Sequence, residues 1–422
     1  MNKRGDHFIK EVTNHIKSKE AKDLVATELG FHLKKTKNMW IEKGLSEVVA
    51  EDKAVEQMGS PIRLGQELNK LHKPKVEWLI IILIVTAMGI GFLPIIALGY
   101  TDLFLINKVI FVILGVTAAF GMMKIDYRKL ERLGWLFYTI GVLILLMISY
   151  FQNTSINAEP SIIIGPITIE CLMSIPFFLL AWASFFNNSR LKARDLGILF
   201  LFSFYLFLTM PNISTTIFIY MMMVCVMLWW SKLNRKKVMM ITVVSICLAI
   251  IGGLFFWFTA EEYELGRILG FLYPENYADD WGYMYLRLKE VMSSAGWLGT
   301  SGNIGFSLVA HTDLVFASLT YYYGYLFALI LVMILSFFIA RIVIISHKIT
   351  GHYEKLLLAG VMALYVVQFF YNVGMILGLF PLTSISLPFI SYGLMPTLFN
   401  AFLMGIVLSV YRRKDLVSRS II

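Results

Sequence analysis

The chain has 422 residues, of which 58% are hydrophobic and 15% charged, with a mean hydropathy of +0.71. A soluble domain cannot hide that much apolar surface, so the composition excludes a water-soluble enzyme and implies a polytopic membrane protein. The formal net charge of +9 does not point to nucleic acid: the basic residues sit in the N-terminal region and in short loops between apolar runs, where positive-inside topology accounts for them.

Residues 1–75 read as a separate, charged helical region. Phe8, Ile9, Val12 and Ile16 recur at helical spacing, as do Leu24, Val25, Leu29 and Leu33. Gly59 ends a helix over 46–58, and Ser60-Pro61 starts the next with Ser as N-cap and Pro at the first position. The run 54–61 resembles the small helical module at the cytoplasmic N-terminus of some Gram-positive membrane proteins. The region's Lys/Arg excess suits anionic lipid or a simple solvated face, and it carries no catalytic motif. No apolar leader occurs in it, so the first membrane helix is expected to direct insertion itself.

From Glu77 onward the apolar runs predict an all-α bundle of ten membrane helices over 76–422. They fall at about 78–98, 107–123, 133–150, 169–186, 196–210, 213–230, 238–258, 314–345, 356–379 and 395–411. Most are near the ~20 residues that cross a bilayer core; the eighth is long enough to tilt or project. Cys171, Cys225 and Cys247 fall in or beside these runs without metal-ligand spacing and imply no disulfide. Loops bearing Arg128, Lys129 and Arg132, then Arg190, Lys192 and Arg194, then Arg235, Lys236 and Lys237 alternate with loops almost devoid of Lys and Arg. Both termini are therefore expected in the cytoplasm of a multi-pass plasma-membrane protein, and the large loop 259–312 outside it. This loop is too long to be a mere connector. Glycines at 296, 299, 302 and 305 loosen it just before His311.

His311-Thr312-Asp313 closes that loop and opens the longest apolar run. A carboxylate where water meets lipid is a functional-site hypothesis, set against a simple cap on the following helix. Further on, Pro381, Pro388 and Gly393 prevent a regular helix, and Pro211 with Asn212 and Ser214 makes a second polar break on the same side. Irregular backbone at this depth must line a cavity or be buried in protein. Ordinary turns between spans are the alternative.

His311-Thr312-Asp313, Asn372-Val373-Gly374 and Leu387-Pro388-Phe389-Ile390-Ser391-Tyr392-Gly393 resemble the signature of the SEDS family (shape, elongation, division and sporulation), whose members include RodA, FtsW and SpoVE. Met210-Pro211-Asn212-Ile213-Ser214-Thr215 resembles its helix break. The likeness covers about 78–412 and implies peptidoglycan glycosyl transfer: polymerisation of lipid II at the outer membrane face, in cell elongation, division or sporulation, beside a class B penicillin-binding protein. Asp313 matches the family's proposed catalytic aspartate. Glu170 matches a supporting glutamate, set against a helix-start acid. His311 and Thr312 shape the loop. Arg287, Lys289 and Arg267 are the candidates for the substrate diphosphate, balanced against simple pairing with nearby acids. Asn212, Thr215, Pro388, Ser391 and Tyr392 are expected to line the cavity. A divalent cation (Mg2+ or Mn2+) suits a diphosphate, with no organic cofactor, though no ligand cluster declares a metal site.

Departures from the family pattern bear on activity. Met173 stands for an expected lysine, Asn212 for an aspartate, Tyr321-Tyr322 for an acidic pair, Val309-Ala310 for a proline and an acid, and Leu394 for a glycine. A catalytically weakened relative that binds lipid II as scaffold or regulator is therefore the alternative. A lipid-linked precursor flippase fits broken helices and intramembrane acids, but no inverted repeat is visible.

Overall fold

In the computed structural model the chain divides into two units, one of Met1–Glu77 with Val410–Ile422 and one of Trp78–Ser409. The structure describes residues 3–156, 159–164, 167–209, 215–243, 262–300 and 311–416.

The first unit is built from α1 (Lys3–Asn14), α2 (Lys19–Glu42), α3 (Glu47–Met58) and α4 (Pro61–Leu71). The apolar spacing of the N-terminal region becomes its core: Phe8, Val12, Ile16, Val25, Leu29 and Leu33 are buried together, with Ile9 and Leu24 packed at the edge. Ser18 caps α2 by accepting from the Ala21 amide, and Pro61 opens α4 at its first turn. The sequence did not indicate that the chain's other end belongs here. Leu416 joins the same core, and the fully buried Arg413 guanidinium donates to both carboxylate oxygens of Glu20, at 3.0 and 2.7 Å. Such a planar two-point pair fixes geometry as well as charge.

The second unit begins with α5 (Trp78–Ile90) and a short α6 (Leu93–Ala97), and continues through α7 (Asp102–Lys124), α8 (Tyr127–Glu131) and α9 (Gly134–Phe151). A three-stranded antiparallel sheet follows, β1 (Thr154–Ile156), β2 (Glu159–Ile164) and β3 (Ile167–Glu170). Then come α10 (Ile175–Asn187), α11 (Ala193–Leu208) and α12 (Thr215–Trp229). Helix α13 is described over 235–243. Next are α14 (Glu262–Leu272), α15 (Tyr283–Ser294), α16 (Val315–Lys348), α17 (His352–Ile376) and α18 (Leu394–Arg412).

Among the described residues six helical spans are long and apolar enough to cross a membrane, and Cys171–Asn187 and Thr215–Trp229 are shorter apolar helices. Most of the seventh expected span, 238–258, lies outside the described residues. The protein is a multi-pass, essentially all-α membrane protein, with one small sheet where a loop and the first residues of the fourth helix were expected. Burial separates inner from outer helices: 72% of the apolar window of α17 is buried, against 17% for α7. Accordingly α7 turns Leu103, Ile106, Ile110 and Ile113 outward as a lipid-facing row, while Lys108, Gly115, Ala119 and Met122 face in. Several buried polar side chains pair across helices, as a lipid-embedded bundle favours. The Trp182 indole donates to Tyr220 Oη (2.9 Å), which also meets Ser203 Oγ (2.6 Å), tying α10, α11 and α12.

The longest expected helix is not continuous. Gly324 has φ 85° and ψ 171° inside α16, a conformation open in practice only to glycine. The backbone groups released there are met by residues 296–300: Thr300 N donates to Tyr321 O (2.9 Å), Tyr325 N to Gly296 O (3.1 Å) and Leu326 N to Trp297 O (3.3 Å). The excess length is absorbed by a break, with the segment that follows Asp313 on one side of it.

Candidate active site

Asp313 is buried, 8% exposed, immediately before the first turn of α16. Two elements distant in sequence hold it. Asn372 of α17, itself fully buried, donates from Nδ2 to Asp313 O (2.8 Å) and to Ile385 O (2.6 Å). Ser386 Oγ donates to Asp313 Oδ1 (3.4 Å). The loop between α17 and α18 adds further ties to the same turn. Ser391 Oγ donates to Thr312 O (2.7 Å) and accepts from the Leu387 amide (2.8 Å), while Tyr392 N donates to His311 O (2.9 Å). The two motifs that stand out in the sequence are thus one folded object.

Glu170 reaches the same place by another route. It was expected at the start of a helix; it lies instead at the end of β3, and α10 begins only after a 3-10 turn over Cys171–Ser174. The residues just before Glu170, Ile167, Thr168 and Ile169, suit a strand as well as a helix start, and antiparallel pairing with β2 makes the segment a strand. Thr168 and Glu170, two apart on one strand, share a face, and Ser161 pairs across from Glu170. All three line a cavity of about 380 Å³ together with Asp313, Thr312, Thr215 and Tyr392.

Other expected residues are placed as follows. Ser391 and Pro388 are both buried and neither lines the cavity; Asn212 lies outside the described residues. Arg287, Lys289 and Arg267 are on α14 and α15 and do not line the cavity. Arg287 pairs with Glu290 (2.5 Å) and Lys289 with Glu275 (3.8 Å); Lys289 borders a separate cleft of about 390 Å³ with Tyr285 and Met292. Among the described residues no group of three His, Cys, Asp or Glu side chains is placed to hold a metal ion. Glu170 and Asp313 are the carboxylates of the cavity, and its described lining includes no Lys or Arg. Mg2+ is commonly held by one or two carboxylates plus substrate phosphates, which this donor set fits.

His311 is buried within an aromatic box. Its Nδ1 meets Tyr100 Oη at 3.0 Å, and the Tyr100, Phe104 and Tyr392 rings lie 4.8, 5.6 and 5.2 Å away. Burial lowers its pKa from the ordinary 6.5, so the neutral ring is favoured. Below about 6.5 the unfolded chain takes up a proton that the folded one resists, and stability is lost as the pH falls through that window. The expected result is a melting temperature in detergent that drops on acidification from pH 7 to 5 more steeply for the native protein than for His311→Gln. Equal slopes would mean that His311 does not titrate in this window.

Beside the polar cavity, and sharing Leu172 and Met395 with it, runs an apolar groove of about 510 Å³ lined by Met122, Phe137, Met173, Pro176 and Phe402 among others. Met173, where the family resemblance implies a lysine, faces this groove. Sequence reasoning overlooked three supports: Asn372 as the clamp on Asp313, Gln368 in the cavity wall, and Lys108. The last carried a usable signal, a lone cation within an apolar run.

These features define a class: a polytopic helical membrane protein whose polar, two-carboxylate cavity adjoins a groove suited to hydrocarbon. The cell cycle protein family model that groups FtsW, RodA and SpoVE matches residues 76–416, and the chain belongs to that family, the SEDS family. It is similar to the peptidoglycan glycosyltransferase MrdB of Escherichia coli (strain K12), 24% identical over 323 residues, covering 73% of this chain and 85% of MrdB. It also resembles an FtsW of Saccharophagus degradans, 30% identical over 168 residues, 38% of this chain and 43% of that protein. Among solved structures, a chain of a peptidoglycan synthase complex coordinating polymerization and crosslinking matches with TM-score 0.69 at 22% identity, over 80% of this chain and 98% of that one. RodA of Thermus thermophilus matches with TM-score 0.60 at 20% identity, over 80% of this chain and 97% of RodA.

Proposed function

We propose that the protein is a peptidoglycan glycosyltransferase that polymerises lipid II into glycan strands. The observation that carries this reading is the meeting of Asp313 and Glu170 in one polar cavity beside an apolar groove. A lipid-linked sugar needs both: polar walls for its headgroup and a dry channel for its polyprenyl tail.

In the reaction a hydroxyl of the acceptor sugar forms a bond to the anomeric carbon of the donor, and the bond to the undecaprenyl diphosphate breaks. Asp313 takes the hydroxyl proton as the new bond forms, since an alcohol is a weak nucleophile and a positioned base raises its reactivity. Asn372 and Ser386 fix the aspartate's backbone and carboxylate so that no reorganisation is needed at that moment. Glu170 would hold a divalent cation, which when bound would supply the positive charge the leaving group requires. The protein lies in the plasma membrane with both termini cytoplasmic and the cavity toward the outer face, and works beside a class B penicillin-binding protein.

A second reading, a lipid II-binding scaffold without turnover, is favoured by one observation: Met173 turns to the apolar groove, and no cation stands in the described cavity wall. Purified protein supplied with fluorescent lipid II and Mg2+ or Mn2+ distinguishes them. Polymerase action gives a ladder of glycan strands; binding of lipid II without any ladder supports the scaffold and overturns the enzymatic reading.

A further inference from the structure

Lys108 sits in the middle of an otherwise apolar face of α7 and is fully buried. Its Nζ donates to the carbonyls of Phe389 (3.5 Å), Ile390 (3.2 Å) and Ser391 (3.0 Å). Three acceptors use all three donors of an ammonium group, so the side chain has nothing left to offer a substrate phosphate. A cation at this depth is costly, and spending it on three consecutive peptide carbonyls calls for a reason.

The reason lies in the loop it grips. Phe389 has φ 64°, a left-handed conformation that a bulky residue avoids and that persists only where the surroundings enforce it. Its ring is pinned by stacking on Phe338, centroids 5.5 Å apart. With Phe389 so bent, three successive carbonyls converge on one point. Immediately beyond them, the Ser391 hydroxyl and the Tyr392 amide hold Thr312 and His311, the two residues before Asp313. Gly91 makes the approach possible: a methyl group there would stand 3.0 Å from both Lys108 Nζ and Ile390 O.

From this geometry we infer that Lys108 is a positioning residue, holding the strained 389–391 turn so that Ser391 and Tyr392 fix the His311-Thr312-Asp313 turn in its working register. The inference rests on the reading of Asp313 as the base of the proposed polymerase, and the test separates the two.

Lys108→Met keeps an unbranched, apolar-tolerant side chain and removes the three donors. With fluorescent lipid II as probe, kcat is expected to fall about 10–100-fold while KM changes by less than about threefold, the pattern of a misplaced base with binding intact. Hydrogen exchange is expected to quicken at the Ser391 and Tyr392 amides by at least about tenfold while the amides of α17 between Leu356 and Phe369 keep their protection. Gly91→Ala, which crowds the clamp without deleting it, should shift both readouts in the same direction by less, and carries the test should Lys108→Met not fold. Unchanged kcat in a folded variant, or exchange that quickens evenly across the bundle, would overturn the positioning role. Should the native protein give no glycan strands, the polymerase reading fails, and the exchange arm alone still decides whether Lys108 holds the turn.

Discussion

Asp313→Asn is expected to lower the rate of glycan-strand formation from lipid II by about 10²–10⁴-fold while leaving the protein folded, the range lost with a positioned general base. The amide has nearly the same shape, and its oxygen can still accept from Ser386 Oγ, which meets Asp313 Oδ1 at 3.4 Å in the native chain. The Asn372 bond goes to the backbone carbonyl of residue 313 and survives the change. What is lost is the ability to accept a proton. The measurement is initial rate against lipid II concentration, with melting in detergent as the control on folding. Native-like rates from a folded Asp313→Asn protein would remove the aspartate from the chemistry. Glu170→Gln gives a useful contrast: if the glutamate serves a cation, raising Mg2+ should restore part of the loss, which it should not do for Asp313→Asn.

The largest effect on stability is expected at Gly324. Alanine there must adopt φ 85° and ψ 171°, and its methyl would meet the Trp297 carbonyl and the Gly299 amide at less than van der Waals distance. Backbone strain and overpacking together cost on the order of 3 kcal/mol, enough to lower the melting temperature by several degrees. Gly89→Ala is the control, since the position is helical with open space around it, and the substitution should be neutral or slightly stabilising. A Gly324→Ala protein that melts with the native one would show that α16 can run straight through the break.

How much of this was legible beforehand follows from which interactions are local. Apolar periodicity placed the N-terminal core residues Phe8, Val12, Val25 and Leu29 correctly, because a helix's buried stripe is written at a fixed interval along the chain. Gly59, Ser60 and Pro61 ended and began helices where expected, since caps depend on a few adjacent residues. The motifs at 311–313 and 387–393 stood out because a carboxylate and prolines are costly inside apolar runs. Glu170 was noticed yet assigned to the wrong element; its short isoleucine-rich segment fits strand and helix alike by pattern, and pairing with Ser161 decided the matter.

The sequence by itself determined that the chain spans a membrane many times, that its long apolar runs are mostly helical, and which acid merits attention, all properties set by composition and short-range order. Only the tertiary structure decided that Leu416 and Arg413 complete the N-terminal unit, that Gly324 divides the longest helix, and that Glu170 and Asp313, 143 positions apart by subtraction of their numbers, share one cavity. Each depends on contacts between residues far apart in the chain, whose geometry is fixed when helices and strands pack and leaves no periodic trace in the order of amino acids.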